Sequence, residues 1–202
     1  MIIQPSLTSV KGFLKIYDPN NGEMFVDKTN AICYENISIA MANSLADRNI
    51  GFIYSMAFGN GGSSVDPTGV ITYLPPNTVG QNVTLYNQTY SKVVDDNSKY
   101  DLNPITNNLT VVHTSGTVYT DILVTCLLDY GEPAGQQAFD NSTNLNGEYV
   151  FDELGLQVWN GSSTSLSLIT HVIFCPVQKS LNRQIQIDYT LRIQTLTNLS
   201  AT

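Results

Sequence analysis

The sequence predicts a mainly β protein, an antiparallel β-sandwich with one amphipathic helix near residues 36–48. One observation is the alternation within residues 184–196, where every second residue is apolar. A period of two is typical of a strand with one buried face. A second observation is the succession of short apolar segments between clusters of Gly, Pro, Asn and Asp, which favours a sandwich. The apolar positions of the last segment are Ile185, Ile187, Tyr189, Leu191 and Ile193.

The N-terminal region predicts a hairpin followed by the helix. Residues 13–17 and 23–27 flank the turn-forming cluster Asp-Pro-Asn-Asn-Gly at 18–22. Asn36 is the predicted N-cap of the helix, and Asn49 lies near its end. One face of the helix, at the spacing i, i+3, i+4, i+7 and i+8, combines Ile37, Ala40, Met41, Ser44 and Leu45.

The chain length predicts a single domain, residues 1–202. A chain of 202 residues with 42% hydrophobic content can form one well-packed core, and two independent domains are not expected. Residues 1–50 would form the hairpin plus helix, and residues 51–202 the sandwich. The strands that follow the helix are predicted at about 52–58, 69–74, 83–94, 109–113, 118–128, 149–159, 166–174 and 184–196.

The composition indicates a polar surface with few charges. Only 13% of the residues are charged, and the formal net charge is -8. Amides and hydroxyls lose less free energy than charges when they are desolvated, so this surface suits a protein that packs against neighbours. An acidic chain lacks the Lys and Arg needed to neutralise phosphates, and we expect no direct nucleic-acid binding.

The cysteines and the N-terminus indicate a protein made in a cytoplasm. Cys33, Cys126 and Cys175 are widely separated and odd in number, which predicts reduced thiols buried in the core. The start of the chain lacks the basic and apolar regions of a secretion signal. No apolar run reaches the roughly 18 residues that a membrane-spanning helix needs, and we expect no membrane association.

The motifs that carry chemistry are weak, so we predict no enzyme and no cofactor. His113 and His171 stand alone, without the spacing of zinc ligands. The Gly-rich segment 59–64 is followed by a predicted strand and not by the helix of a phosphate-binding loop. Asp152 and Glu153 are neighbours in a predicted strand, so their side chains should point to opposite faces and not form an acid–base pair.

The acidic residues at 95–101 could bind calcium or form a solvated turn. Asp95, Asp96 and Asp101 offer oxygen ligands, but their spacing lacks the pattern of a calcium-binding loop. The turn is favoured, and we predict no metal site and no catalytic residue.

The order of motifs in the last third resembles that of tailed-bacteriophage virion proteins of the collar and fibre-attachment type. These motifs are the strand Glu153–Leu156, the Phe-Cys-Pro at 174–176, the short basic turn 178–180 and the alternating strand 185–193. The Gly-rich segment 59–69 extends the resemblance upstream, so that it covers about residues 53–196.

The resemblance implies a structural protein of the virion, synthesised in the host cytoplasm. Its function would be that of an assembly or adaptor subunit of the neck or tail, a homo-oligomer whose partners are other virion proteins. The alternative is a capsid decoration protein that clamps neighbouring capsid subunits. A host-glycan-binding module is a more distant alternative, because Trp159 is the only Trp and no cluster of aromatics suggests a sugar platform.

Two loops are the predicted contact regions, since a rigid sandwich presents its variable connections at its ends. Residues 59–69 are Gly-rich, and residues 129–147 form a long connection with apolar residues that suit an interface arm. The candidate interface residues in these loops are Asn60, Gly61, Ser63, Asp66, Phe139 and Leu145.

Overall fold

The computed structural model describes residues 7–134 and 150–196. Within these residues it contains thirteen strands and one helix. In chain order they are β1 (Leu7–Tyr17), β2 (Met24–Thr29), β3 (Ala31–Ile32), α1 (Tyr34–Leu45), β4 (Ile53–Gly59), β5 (Ser63–Val65), β6 (Ile71–Tyr73), β7 (Gln88–Val93), β8 (Asn108–His113), β9 (Tyr119–Leu128), β10 (Val150–Ser162), β11 (Ser165–Leu168), β12 (Thr170–Gln178) and β13 (Ile185–Leu196).

The strands form antiparallel sheets, as predicted. One sheet has five strands in the order β2-β1-β13-β9-β8. The second has the order β3-β12-β10-β4-β7, with β11 also paired to β10. β5 and β6 form a separate two-stranded sheet. A single hydrophobic cluster joins side chains of both sheets, among them Leu14 and Ile187 from the first and Met56 and Leu154 from the second. The fold is therefore sandwich-like, with the main core between the two sheets.

Strand β13 confirms the alternating pattern of the sequence. It pairs with β1 on one side and with β9 on the other, which places Ile187 between Ile16 and Cys126. Ile185, Ile187, Tyr189 and Leu191 are buried, whereas Ile193 near the end of the strand is only half-buried. The regular hydrophobic face fixes the register of this central strand.

The second sheet has an additional cover on its outer face. All residues of β4 are buried, although alternate side chains point away from the main core. A second apolar cluster explains this burial, because Val83 and Leu85 pack there against Ala57 and Leu168. Residues 74–87, between β6 and β7, contain no strand and are called the covering loop. The segment predicted as a strand from residue 83 consequently belongs to this loop in its first part, and the strand itself begins at Gln88.

Helix α1 starts and ends earlier than predicted, and Asn36 is not its N-cap. The cap residue is Cys33, while the Asn36 amide is buried and donates hydrogen bonds to the carbonyls of Leu168 (2.8 Å) and Gln81 (3.2 Å). Asn36 thus joins the helix to β11 and to the covering loop. No helix in the described ranges is long and apolar enough to cross a membrane.

Three further details differ from the sequence prediction. The single strand expected at 166–174 is two strands, because Ile169 between them donates to the carbonyl of Leu156 and accepts from the N–H of Cys33. The short strands β3 and β5 were not predicted. All three cysteines are free, but Cys175 is exposed and not buried, since its side chain follows the outward alternation of β12.

Candidate functional site

The most distinctive polar group in the described residues is a buried cluster of Asp152, Glu153 and His171. Asp152 is 3% exposed, and the other two side chains are fully buried. The pairing of β10 with β12 shifts register between Phe151 and Glu153, as in a β-bulge. Both carboxylates therefore contact the same Gly-rich segment, whereas strict alternation predicted that their side chains point to opposite faces.

Glu153 is the centre of this cluster. Its Oε1 accepts hydrogen bonds from the backbone N–H groups of Gly61 (3.0 Å) and Asn87 (2.8 Å). Its Oε2 accepts from the N–H of Tyr86 (2.9 Å) and from Nε2 of His171 (2.9 Å). Four donors saturate the carboxylate, so one buried side chain holds two loops on the outer face of the sheet.

His171 extends the network to the covering loop. Its Nδ1 lies 2.8 Å from the backbone nitrogen and 3.3 Å from the carbonyl oxygen of Asn77, and its Nε2 lies 2.9 Å from Oε2 of Glu153. The Tyr86 ring packs against the imidazole, with 5.6 Å between ring centroids. His171 is therefore a buried hydrogen-bonding bridge and not the isolated strand residue that the sequence suggested.

Asp152 holds the start of the hairpin formed by β5 and β6. Its Oδ1 accepts from the N–H of Gly62 (2.9 Å), and its Oδ2 accepts from the N–H (2.7 Å) and the hydroxyl (2.5 Å) of Ser63. Asp152 and Glu153 together fix three consecutive residues of the Gly-rich segment, from Gly61 to Ser63.

Burial affects the two carboxylates with different net results. Burial raises the pKa of Asp152 above its ordinary value, although hydrogen bonds from Ser63 and Gly62 oppose the rise. Burial also acts to raise the pKa of Glu153, but the hydrogen bonds from His171 and from three backbone N–H groups outweigh it. The pKa of Glu153 is consequently lower than usual, and its ionised form stabilises the fold.

Gly59 lies close to the Glu153 carboxylate and to the backbone of Asn87. A Cβ atom at Gly59 would lie 2.5 Å from Oε1 of Glu153 and 2.5 Å from the carbonyl oxygen of Asn87. A side chain at this position would displace the loop from the carboxylate. Packing against the buried carboxylate of Glu153 thus requires a glycine at position 59.

The structure places four of the six predicted interface residues at or beside the hairpin. Gly61 and Ser63 belong to the carboxylate-bound segment, and Asn60 accepts a hydrogen bond from the Asn87 side chain (2.6 Å). Asp66 is exposed and accepts from Thr68 and Val70 within the turn between β5 and β6. The other two, Phe139 and Leu145, lie outside the described residues.

The hairpin exposes an apolar surface. Residues 64–70 are all exposed, and the large apolar side chains of this region that face solvent are Val65 (40% exposed), Val70 (58%), Tyr73 (45%) and Leu74 (44%). We call this group the hairpin patch. The exposed Asp66 lies in the turn between Val65 and Val70, and Nζ of Lys28 lies 5.6 Å from the centroid of the Tyr73 ring. The patch rests on the segment that Asp152 and Glu153 hold, so it is presented from a fixed base.

The acidic turn at 95–101 is more buried than predicted. Asp95 and Asp101 are buried, and only Asp96 is exposed. Asp101 accepts a hydrogen bond from the N–H of Asn103 (2.9 Å), and the fully buried Asn107 accepts one from the N–H of Leu127 (3.1 Å). Through Asn107, which donates to Asp101 and accepts from Leu127, the turn therefore supports β9 by hydrogen bonding.

A second polar group lies near the end of β9, and no sequence pattern indicated it. Lys92 pairs with Glu132 and donates to the carbonyl of Leu127 (2.6 Å). Nearby, Lys179 is fully buried and donates to the carbonyl of Ser180 (2.9 Å), and burial lowers its pKa to about 8. The predicted basic turn at 178–180 thus has its lysine directed into the protein.

We expect the purified protein to contain no bound metal in stoichiometric amount. Among the described residues, no three His, Cys, Asp or Glu side chains are arranged to hold a metal ion. Elemental analysis checks this, together with thermal unfolding before and after chelation. A melting temperature that falls on chelation would contradict the prediction.

Comparison with known proteins finds no match for this chain, neither to a protein family, nor to a curated protein, nor to a solved structure.

Proposed function

We propose that the protein is a structural component of a tailed-phage virion, an assembly or adaptor subunit of the neck or tail that is not an enzyme. The observation that carries the proposal is the hairpin patch, an exposed apolar surface on a base held by two buried carboxylates. The order of motifs along the last third of the chain supports the virion assignment.

A rigid base favours a role in assembly. A loop that becomes ordered only on binding loses conformational entropy at that step, and this loss weakens the interaction. The hydrogen bonds that the N–H groups of residues 61–63 donate to Asp152 and Glu153 remove part of this loss before a partner arrives. Apolar side chains at the end of such a hairpin provide the contact area.

The outer face of the five-stranded sheet is a weaker candidate for the contact. Its polar side chains already have partners within the chain: Arg192 forms a bidentate pair with Asp121, and its guanidinium lies 3.8 Å from the ring centroid of Tyr119. Asp188 accepts from the hydroxyl of Tyr17 (3.0 Å). A partner would have to compete with these interactions, whereas Val65 and Val70 of the hairpin patch are exposed apolar side chains that form no such polar interaction.

Immunogold labelling of particles with antibodies against the purified chain tests the proposal. We expect label at the neck or along the tail. Label distributed over the head would instead support the capsid decoration role, and particles without label would refute a structural role in the virion.

Loss of the hairpin patch should prevent incorporation without unfolding the protein. In a Val65→Asp/Val70→Asp variant we expect at least roughly tenfold lower occupancy in particles, because two carboxylates would have to be desolvated in the contact. The free energy of unfolding should change by about 0.5 kcal/mol or less per site, as for other exposed positions. Occupancy is measured by quantitative mass spectrometry of purified particles.

The matched control is Val118→Asp, which changes a similarly exposed valine (52%) directly before β9 of the five-stranded sheet. Wild-type occupancy of the hairpin variant would show that the patch is dispensable. In that case the polar row Gln184, Gln186, Asp188 and Arg192 on the outer sheet face becomes the next candidate.

A further inference from the structure

The edge strand β8 carries none of the features that normally prevent strand pairing. It ends the five-stranded sheet, and among the described residues it pairs only with β9. Its sequence, Asn-Leu-Thr-Val-Val-His, contains no Asp, Glu, Lys, Arg or Pro, and residues 110–113 are exposed. Edge strands of soluble proteins are usually protected by charge, proline or shortness, because their free N–H and C=O groups can pair with another chain.

The other ends of the two main sheets are protected. The end strand β2 contains Asp27 and Lys28, and β7 contains Lys92. The end strand β3 has only two residues, and β11, which pairs with β10, has only four. β8 is therefore the unprotected end in the described part of the chain.

An apolar groove lies beside β8 on the inner side of its sheet. The groove has a volume of about 340 Å³, and Leu109, Val111 and Ile122 line it together with Met41 and Leu45 of α1. Val111 is 70% exposed and Leu45 is 87% exposed. A strand added at β8 would cover both side chains and could direct alternate apolar residues into the groove.

We propose that β8 pairs antiparallel with β8 of a second copy, so that the two five-stranded sheets become one continuous sheet. A second copy is favoured because β8 is uncharged and alternating, and can therefore pair with its own sequence. The chain carries a net charge of -8, so most approaches of two copies bring like charges together. Along β8 no charged side chain opposes the approach. The strand also supplies the alternation that the groove requires, with Leu109 and Val111 on the groove side.

Symmetry and side-chain direction define the register. Residues directly opposite each other in a sheet point to the same face, so groove-facing residues must oppose groove-facing residues. A two-fold axis at residue 110 or at residue 111 satisfies this rule, and the axis at residue 111 is the one that covers the exposed apolar side chain of Val111 with Val111 of the partner subunit. A shift by one residue would turn the groove-facing side chains of the added strand to the outer face. The inference does not depend on the virion assignment.

Cysteine crosslinking tests this register. In a Cys175→Ser background, which removes the exposed native thiol, Val111→Cys should give a disulfide-linked dimer on mild oxidation, because directly opposed Cβ atoms lie about 4.5–5.5 Å apart. The matched control is Val112→Cys on the same strand, whose side chain points to the outer face and opposes Thr110 of the partner subunit. It should crosslink at most weakly.

A charge on the edge provides the second test. Sedimentation equilibrium of the wild-type protein should show a monomer–dimer equilibrium, and Val111→Lys should raise its Kd about tenfold or more, because the ammonium group would be desolvated at the axis. Val79→Lys, at an 89% exposed position in the covering loop, should leave the Kd unchanged. A wild-type protein that stays monomeric at its highest soluble concentration would overturn the proposal. So would a dimer that crosslinks equally through Val112→Cys or persists unchanged in Val111→Lys.

Discussion

Replacing Ile187 with Asp should lower the free energy of unfolding by about 3 kcal/mol or more. Ile187 is fully buried in the central strand β13, opposite Ile16 on one side and Cys126 on the other. A carboxylate there would have no hydrogen-bonding partner among these side chains. It would either be protonated in the core or force the strand away from its neighbours. Urea unfolding followed by circular dichroism measures the change.

Gln186→Asp is the matched control, one residue away on the outer face of the same strand. The Gln186 side chain is half-buried and donates to Asp188 (3.0 Å), so the substitution loses this bond and introduces a repulsion that solvent screens. We expect a loss of about 1 kcal/mol or less. Equal losses for Gln186→Asp and Ile187→Asp would contradict the assignment of the inner and outer faces.

The elements best predicted from the sequence are those with a strict local period. The strand at 185–196 and the hairpin of β1 and β2 follow directly from alternation and turn residues, which depend on neighbours in sequence. The first and last residues of strands were harder to predict in segments that are covered on both faces. Val83 and Leu85 alternate like a strand, but they are buried because they cover Ala57 and Leu168, a contact that no local pattern shows.

The buried cluster could not be predicted for a similar reason. Alternation correctly describes a regular strand, but the register shift after Phe151 brings Asp152 and Glu153 to a common segment. His171 is 18 residues from Glu153 in the sequence, and the backbone donors at Gly61 and Asn87 are farther away still. The one local signal was the pair of adjacent carboxylates within an apolar strand, because charged residues rarely occupy buried positions without partners.

Replacing Glu153 with Gln should lower the free energy of unfolding by about 3–5 kcal/mol, which corresponds to a fall in Tm of roughly 6–20 °C for a chain of this size. The amide keeps one acceptor oxygen, but its NH2 group would face donors such as the Tyr86 N–H or Nε2–H of His171. Hydrogen exchange at Gly61 and Asn87 should accelerate more than exchange in β13, because the variant first releases the two loops.

Glu23→Gln is the control for this substitution, since Glu23 is exposed in the turn between β1 and β2. It should change the free energy of unfolding by about 0.5 kcal/mol or less. If hydrogen exchange at Gly61 and Asn87 is as slow in the Glu153→Gln variant as in the wild-type protein, other contacts hold the loops.

The effect of Glu153→Gln should also depend on pH, with a defined sign. The pKa of Glu153 is lower in the folded protein than its ordinary value, so its contribution is complete above the unfolded-state pKa of about 4.3 and is lost as the pH falls through the folded pKa. Asp152 acts in the opposite direction: its raised pKa gives a contribution that is lost as the pH rises.

The difference in unfolding free energy between the wild-type protein and Glu153→Gln reports the contribution of Glu153. It also contains a change at Asp152, because the substitution removes the repulsion between the two carboxylates. Urea unfolding at a series of pH values should show this difference largest near neutral pH and shrinking in acid, and a difference independent of pH would contradict an ionised Glu153 in the folded protein.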